Sequence, residues 1–289
     1  MEFVIMRFHV FQSEARSILT PSSGFIREAG FTHSLTPARN CTFGCAYCYV
    51  PTMGIYGGLR PDDCKRWGQF TTFKSNAPEL LARELRADQI IYCSPLVDPY
   101  QPAEESEQMM PRVLDALIER PPRVFTLQTR SPLILRDLDR IAGLAARCTV
   151  RVSFSLTTNR EDIRRLYEPH CASFDERLDA IARLRRRGIE TYATLAPLLP
   201  ADLDIMVRAA VEATDRDLIG DPLHIRAVKR RGATTRDAAR RIAAGHHHDD
   251  WLSPGFQARI VAAIQRMANA AGRRFATGPE GFSWLAQSN

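Results

Sequence analysis

Three cysteines stand close together near the start of the sequence, as Cys41, Cys45 and Cys48 in the run CTFGCAYC. Their spacing places three thiolates on one tight loop, which can bind three irons of a four-iron, four-sulfur cluster and leave the fourth iron without a protein ligand. The alternatives are a zinc knuckle, or three reduced thiols that are close only by chance. A structural zinc site needs four ligands, usually as two Cys/His pairs, and no second pair follows at a suitable distance. The pattern therefore favours a cluster with an open iron.

The motif Cys-x-x-x-Cys-x-aromatic-Cys resembles the signature of the radical S-adenosylmethionine (SAM) superfamily and matches it at every constrained position. The resemblance implies a [4Fe–4S] cluster on Cys41, Cys45 and Cys48, with the amino and carboxylate groups of SAM on the fourth iron. It also implies an enzyme in which an electron from the cluster cleaves SAM to methionine and a 5′-deoxyadenosyl radical. A reducing partner such as flavodoxin or ferredoxin would supply the electron. Since the cofactor carries the chemistry, the protein's tasks are to bind, orient and shield.

The composition fits one large α/β unit. The chain has 289 residues, of which 45% are hydrophobic and 25% charged, enough for a single core. No run of 18 apolar residues occurs, which argues against a membrane span, and the apolar stretch 1–8 lacks the flanking features of a signal peptide. Seven cysteines, an odd number, favour a reducing compartment over a disulfide scaffold. We therefore expect a cytoplasmic protein without a membrane segment.

The charge pattern carries less information. A net charge of +6 permits an anionic substrate such as a nucleotide or nucleic acid. However, much of the excess lies in helix-type segments such as 185–187 and 240–241, where a solvated face explains it better. The His-His-His-Asp-Asp run at 246–250 is also better explained as a solvated loop, because adjacent histidines on a loop cannot all face one metal ion.

From residue 77 onward, short apolar strands alternate with helical segments, which is typical of βαβ units with a parallel sheet. The predicted strands cover 31–36, 89–93, 124–128, 150–156, 191–195 and 223–228. The predicted helices cover 80–85, 109–118, 133–146, 178–187, 201–213, 234–244 and 257–271. Six strand–helix units form the partial (β/α)6 TIM-type barrel that the resemblance also implies. We divide the chain into an N-terminal extension (1–30), the barrel (31–230) and a C-terminal helical extension (231–289).

Segments rich in proline and polar residues follow four of the predicted strands, at 93–102, 129–133, 153–159 and 196–200. Because parallel α/β sheets bind ligands at the carboxyl ends of their strands, we expect the active site there. These runs resemble the spore photoproduct lyase-like branch of the superfamily over about residues 31–200. The resemblance implies SAM contacts from Arg130, where the branch more often has lysine, and from Asp98, Ser153 and Ser155. An arginine could bind the SAM carboxylate with two hydrogen bonds.

Cys93 ends the second predicted strand, where the lyase carries a cysteine that donates a hydrogen atom to the product radical. Two tyrosines that flank the last cluster cysteine relay this hydrogen in the lyase, and Tyr47 and Tyr49 match both. The resemblance therefore implies catalytic roles for these three residues. The alternative is that Cys93 is a buried small hydrophobe, as free cysteines often are, and that Tyr47 is only the usual aromatic of the motif.

The resemblance also implies that the adenosyl radical abstracts hydrogen from a nucleoside or nucleotide. About 60 residues follow the sixth predicted strand, fewer than the lyase uses to grip DNA, which favours modification of a small nucleotide over repair of dimerised thymines. A hypothesis from another class is a non-catalytic metal-binding module that binds nucleic acid through its arginines.

Four cysteines lie outside the motif, at Cys64, Cys93, Cys148 and Cys171. Some of them could bind an auxiliary iron–sulfur cluster that supplies sulfur, as in a lyase-like enzyme of albomycin biosynthesis that exchanges oxygen for sulfur in a cytidine nucleotide. Cys148 ends a predicted helix on the opposite side of the barrel, where we expect packing.

Overall fold

The computed structural model describes residues 8–53, 61–225 and 235–288. Its strands are β1 (His9–Ser13), β2 (Leu19–Pro21), β3 (His33–Leu35), β4 (Ala38–Arg39), β5 (Phe70–Lys74), β6 (Ile90–Cys93), β7 (Val124–Thr129), β8 (Thr149–Ser155), β9 (Glu190–Leu198), β10 (Leu218–Pro222) and β11 (Phe275–Thr277). Its helices are α1 (Gly24–Glu28), α2 (Pro61–Lys65), α3 (Ala77–Glu84), α4 (Glu104–Glu107), α5 (Met109–Glu119), α6 (Leu138–Ala145), α7 (Glu161–Tyr167), α8 (Phe174–Arg186), α9 (Leu203–Ala213), α10 (Asp237–Gly245), α11 (Pro254–Ala270) and α12 (Gly278–Ser283).

The larger sheet has eight strands in the order β11-β10-β9-β8-β7-β6-β3-β2. All neighbours from β3 to β11 are parallel, and β2 joins β3 in the antiparallel direction. Helices separate consecutive parallel strands along the chain, as βαβ units require. Within the described ranges the two edge strands do not pair with each other. The α/β prediction with a parallel sheet is therefore confirmed.

One face of this sheet is covered by helices. Cys93 pairs in register with Leu127, and Leu127 with Val152, so these three side chains lie on the same face. They belong to the main buried core together with apolar side chains of α3, α5, α6 and α8. The hydrophobic stripes of these helices therefore have the sheet as their partner.

The opposite face of the sheet is covered in part by the C-terminal residues. Tyr92 and Val124 lie on this face, in a second buried cluster with Phe31 and Leu285. The hydroxyl of Thr126 also points this way and donates to the carbonyl oxygen of Leu285 at 2.7 Å. The amino-terminal parts of the strands are thus covered on both faces, which leaves their carboxyl ends for a site.

The prediction for the sixth strand was wrong by five residues. The sequence predicts a strand over 223–228, whereas the strand is β10, which pairs with β9 and β11. Residues 223–225 have no strand structure, and 226–228 lie outside the described residues. The Gly-Asp-Pro run at 220–222 hid the strand, because these residue types are rare in strand interiors.

Both terminal segments contain strands that the sequence analysis did not predict. Residues 231–289 are predicted as a helical extension, yet they also contribute β11, which adds a seventh parallel strand next to β10. Residues before 31 contribute β2 to the larger sheet and β1 to a small sheet in the order β1-β5-β4. Strands of three to five residues are too short to show a clear hydrophobic period.

Most of the predicted helices are present near their predicted positions. The short helices α1, α2, α4, α7 and α12 were not predicted, and the segment 133–146 divides into a 3-10 turn at Pro132–Asp137 and α6. Helix α8 ends just before Gly188, whose φ of 79° is the left-handed conformation of a helix stop. This helix end is confirmed.

Gly220 provides a test of the packing between β10 and β11. A Cβ atom at this position would lie 2.5 Å from ring carbons of Phe275 and 3.2 Å from the carbonyl oxygen of Leu195. Since overpacking costs about 1–3 kcal/mol, we expect Gly220→Ala to lower the free energy of unfolding by about that amount in urea denaturation. Gly245→Ala is the control, because nothing lies within 4 Å of a Cβ there. An equal effect of both substitutions would contradict the close contact.

Candidate active site

The loop with the three motif cysteines follows β4, beyond the carboxyl end of β3. Asn40 opens it in the left-handed conformation, with φ 63°, and its side-chain oxygen accepts a hydrogen bond from the backbone N–H of Cys41 at 2.9 Å. The backbone then turns twice, through bonds from Gly44 N–H to Cys41 C=O (3.3 Å) and from Cys48 N–H to Cys45 C=O (3.2 Å). Cys41 and Cys45 are buried, and Cys48 is half-buried. The loop therefore gathers its thiols in a largely enclosed space.

Two glycines allow the cysteine loop to contact the segment just before β5. A Cβ on Gly44, whose φ is 63°, would lie 3.0 Å from the Cα of Gly68, and a Cβ on Gly68 would lie 2.7 Å from the Cα of Gly44. The two backbones touch directly, which other residues would prevent.

Gln101, in the run that follows β6, anchors the same loop. Its side-chain oxygen accepts from the N–H and the hydroxyl of Thr42 at 2.8 and 3.1 Å. Its amide nitrogen donates to the hydroxyl of Thr71 on β5 at 3.2 Å, and that hydroxyl donates to the carbonyl oxygen of Asn40 at 3.1 Å. All four residues are buried. The small sheet and the segment after β6 therefore fix the loop from two sides.

A buried carboxylate, Glu168, lies beside the loop. One of its oxygens accepts from the guanidinium of Arg130 at 2.6 Å and from the hydroxyl of Tyr47, and the other accepts from Arg177 at 2.5 Å. Burial alone would raise the pKa of Glu168, but the charges of Arg177 and Arg130 outweigh it and lower the pKa to about 2. Glu168 therefore connects the cysteine loop to the ends of β7 and α7. We call Glu168 with its partners Arg130 and Arg177 the charged hub.

Asp98 organises the space between the ends of β6 and β7. Its carboxylate accepts from the hydroxyl of Thr129 at 2.7 Å and from the backbone N–H groups of Tyr100 and Arg130, each at 2.9 Å. The Nε atom of Arg130 lies 3.8 Å from it. In this structure, Asp98 therefore holds the two strand ends in place, and with them Arg130.

Cys171 lies next to the motif, although it is 126 residues from Cys45 in the sequence. The two sulfurs are 4.0 Å apart and both side chains are buried. Among the described residues, one set of potential metal ligands has its ligand atoms within 4.8 Å of one another. It consists of Cys45, Glu168 and Cys171.

The surroundings of the motif cysteines suit bound thiolates. Burial raises the pKa of Cys41, and burial raises that of Cys48 to about 12, while backbone N–H groups act in the opposite direction on both sulfurs. For Cys45, the hydrogen bond from the Cys171 thiol and the charge of Arg130 outweigh burial and lower the pKa. Three thiols in an enclosed space are ligands of the kind that hold iron–sulfur clusters, and metal binding removes their protons. The residues present fit an iron–sulfur cluster.

The face of the larger sheet opposite the helices, which we call the open face, becomes polar toward the carboxyl ends of β8 and β9. Ser153 is hydrogen-bonded to Thr194, with their hydroxyl oxygens 2.7 Å apart. Ser155 is fully buried, and its hydroxyl has no hydrogen-bond partner among the described residues. Since buried polar groups are nearly always paired with protein, water or ligand, this hydroxyl is available to bind a ligand.

The predicted site residues lie in four places. Tyr47, Arg130 and Asp98 form one network of hydrogen bonds beside the loop of the three motif cysteines, and Ser153 and Ser155 lie on the open face of the sheet. Cys93 is fully buried on the helix-covered face, beside Leu127. Tyr49 is 37% exposed and its hydroxyl donates to the carbonyl oxygen of Pro95.

Sequence reasoning missed the roles of Glu168 and Arg177. A signal was present for Arg177, because it precedes Ala180, Ile181 and Leu184 by three, four and seven residues. That spacing places it on the buried stripe of α8, and a buried arginine needs a carboxylate. No comparable signal marked its partner.

The cysteines outside the motif do not gather in the part of the chain that the structure describes. Cys148 precedes β8, at the amino ends of the strands, and packs against the core. Cys93 ends β6, and Cys171 contacts Cys45. The side chain of Cys64 lies outside the description.

The fold and site define an iron–sulfur protein built on a parallel α/β sheet. Residues 35–213, more than half of the chain, match the sequence model of the radical SAM superfamily. The protein therefore belongs to the radical SAM superfamily, whose members are enzymes that use a [4Fe–4S] cluster and SAM. The predictions of the family, the enzyme class and the two cofactors are confirmed, and the family favours an enzyme over a non-catalytic module.

Two uncharacterized proteins illustrate the relatives of this chain. MJ0683 of Methanocaldococcus jannaschii is 26% identical over 170 residues, which are 57% of this chain and 60% of that protein. Rv2578c of Mycobacterium tuberculosis is 28% identical over 174 residues, which are 59% of this chain and 50% of that protein. The chain thus spans 50–60% of the length of these relatives.

Spore photoproduct lyase is similar in structure. One mutant of the lyase aligns with a TM-score of 0.56 and 16% identity, over 76% of this chain and 64% of the lyase. A double mutant with bound AdoMet and dinucleoside spore photoproduct aligns with a TM-score of 0.55, also at 16% identity and with the same coverage. At this identity the likeness shows the fold. In the described ranges, none of the helices has the length and apolar character needed to cross a bilayer.

Glu168→Gln tests the charged hub. The substitution keeps the side-chain shape but leaves Arg130 and Arg177 without their carboxylate. Because an uncompensated buried charge costs about 3–5 kcal/mol, we expect the free energy of unfolding of the cluster-free protein to fall by about that amount. Glu161→Gln is the control, since Glu161 is half-exposed and pairs with arginines of its own helix, where a pair contributes about 1 kcal/mol or less.

The pH dependence of stability gives an independent check of the hub. The folded-state pKa of Glu168 is about 2, below its ordinary value of 4.5, so its contribution is present above pH 4.5 and is lost as the pH falls toward 2. The wild type should lose stability over this window more steeply than Glu168→Gln. Equal slopes of stability against pH for the wild type and Glu168→Gln would contradict a buried carboxylate. So would equal losses of unfolding free energy in Glu161→Gln and Glu168→Gln.

Proposed function

We propose that this protein cleaves SAM at a cluster held by Cys41, Cys45 and Cys48 and abstracts hydrogen from a nucleoside or nucleotide in a biosynthetic modification. The observation that carries the proposal is the loop at the carboxyl end of a parallel sheet, which gathers three thiols in a largely enclosed space. When bound, the cluster and SAM supply the electron and the adenosyl radical. The chain must hold both and keep water out.

Two groups of side chains would hold SAM. The unpaired hydroxyl of Ser155 supports a contact on the open face of the sheet, with Ser153 held next to it by Thr194. Arg130 uses Nη1 for Tyr47 and Glu168, which leaves Nη2 to donate to the SAM carboxylate. Its contacts with Glu168 and Asp98 would fix the direction of that donor.

A nucleoside or nucleotide substrate is supported by two observations. The lyase structures of similar fold contain a dinucleoside, and the net charge of +6 favours anionic ligands. Sulfur insertion into the sugar would need an auxiliary cluster, and the described cysteines outside the motif lie apart from one another. Hydrogen transfer is therefore our first choice. Repair of thymine dimers in DNA is the alternative. Assays with a panel of nucleotide and DNA substrates would distinguish it from modification of a small nucleotide.

The electron would come from a small reducing protein such as flavodoxin or ferredoxin. The six described cysteine side chains are free thiols, which supports a reducing compartment, the cytoplasm.

The cluster assignment is tested by metal analysis. After anaerobic reconstitution, we expect about four irons and four sulfides per chain in the wild type and none in the Cys41/Cys45/Cys48 triple alanine variant, which should also form no 5′-deoxyadenosine. Cys148→Ala should retain both cluster and SAM cleavage. An undiminished iron content in the triple variant would contradict the assignment, whereas about eight irons in the wild type with about four surviving would point to a second cluster.

Cys93→Ala tests the hydrogen-donor role. If Cys93 donates hydrogen, the variant should still form 5′-deoxyadenosine but yield an altered product from the dinucleoside spore photoproduct or from a panel of nucleotides, analysed by mass spectrometry. If Cys93 only packs on the helix-covered face, the product should be normal and only the thermal stability should fall. The normal product at the normal rate would remove Cys93 from the mechanism.

A further inference from the structure

Cys171 is held in place by backbone contacts. Its N–H donates to the carbonyl oxygen of Glu168 at 3.0 Å, and its own carbonyl oxygen accepts from the guanidinium of Arg164 at 2.7 Å. These bonds form a tight turn after α7. The turn aims a buried thiol at Cys45, with the sulfurs 4.0 Å apart. This is hydrogen-bonding distance for two sulfur atoms.

The N-terminal side of this turn is also tied to the cysteine loop. The backbone N–H of Ala46 donates to the carbonyl oxygen of Tyr167 at 2.8 Å. A backbone hydrogen bond thus joins Ala46, the neighbour of Cys45, to Tyr167, the neighbour of Glu168. Backbone hydrogen bonds therefore hold the segments that carry Cys45 and Cys171 next to each other.

In the described part of the chain, the Cys171 thiol lies within hydrogen-bonding distance of the Cys45 sulfur. A cluster-bound Cys45 is a thiolate and can only accept. Of the described metal-binding side chains, Glu168 also lies within 4.8 Å, but its two oxygens already accept from Tyr47, Arg130 and Arg177. The S–H of Cys171 is therefore directed to the sulfur of Cys45.

Cys45 differs from the other motif cysteines in the origin of its donor. Backbone N–H groups of Phe43 and Asp98 face the sulfur of Cys41, and that of Val50 faces Cys48. Such donors are available whatever the side chains are. For Cys45, the contacts come from side chains, the thiol of Cys171 at 4.0 Å and the hydroxyl of Tyr47, so they depend on which residues stand at these two positions.

We propose that Cys171 is a positioning residue that donates an S–H···S hydrogen bond to Cys45 and raises the reduction potential of the cluster. The inference rests on the proposed role of Cys45 as a cluster ligand. Reduction adds negative charge to the cluster, and hydrogen bonds to its sulfurs stabilise that charge. Cys171 thus makes it easier for the reducing partner to load the electron that SAM cleavage needs.

The test compares reconstituted wild type with Cys171→Ala and Cys171→Ser. Midpoint potentials are measured by redox titration followed by electron paramagnetic resonance. We expect the iron content of the wild type in both variants, a more negative potential in Cys171→Ala, and a potential nearer to the wild type in Cys171→Ser, since serine keeps a donor. In D2O, an exchangeable deuteron coupled to the reduced cluster should be visible in the wild type and weaker in Cys171→Ala.

Several results would overturn the inference. One is a Cys171→Ala cluster with the wild-type potential. Another is loss of iron from both Cys171 variants with their fold retained, because it would make Cys171 a ligand. The deuteron measurement on the wild type needs no variant, so a folding defect in Cys171→Ala leaves it intact, and a missing deuteron signal would count against the hydrogen bond. A wild type that binds no cluster would instead refute the proposed function.

Discussion

The ion pairs of Glu168 with Arg130 and Arg177 are the interaction on which the rest of the site depends. A fully buried carboxylate is unfavourable alone, and so are two largely buried guanidiniums. Together they compensate one another, and their geometry joins the end of β7, the turn after α7 and the start of α8. Tyr47 donates to the same carboxylate, so the cysteine loop is positioned by this cluster of charges.

The sheet and the elements packed on it determine where the site lies, which the ion pairs alone cannot do. Helices cover one face of the larger sheet and C-terminal residues cover part of the other, which leaves the carboxyl ends of the strands for chemistry. The run after β6 contributes Asp98 and Gln101, which bind the end of β7 and the cysteine loop respectively. A single short segment therefore joins the cysteine loop to the end of β7.

The positions of Cys93 and Cys171 change which cysteine outside the motif is the better candidate for a role at the site. Strand-end position suggested that Cys93 approaches the substrate, but register places its side chain with Leu127 and Val152, toward the helices. Position after the fourth strand suggested little about Cys171, yet its sulfur contacts that of Cys45. The cysteine that the structure joins to the cluster motif is therefore Cys171, in a network of hydrogen bonds that also includes Glu168.

The sequence by itself determined the cofactor motif and the fold class. Both are local properties: three cysteines within eight residues lie on one loop whatever fold surrounds them, and the alternation of strand and helix periods predicts a parallel sheet. It could not locate β10, whose Gly-Asp-Pro run lacks a strand pattern, or find partners far apart in the chain. Only the tertiary structure decided that Cys171 meets Cys45 and that Cys93 faces the helices. The reason is that such contacts depend on strand register, where a shift of one residue turns every side chain to the other face.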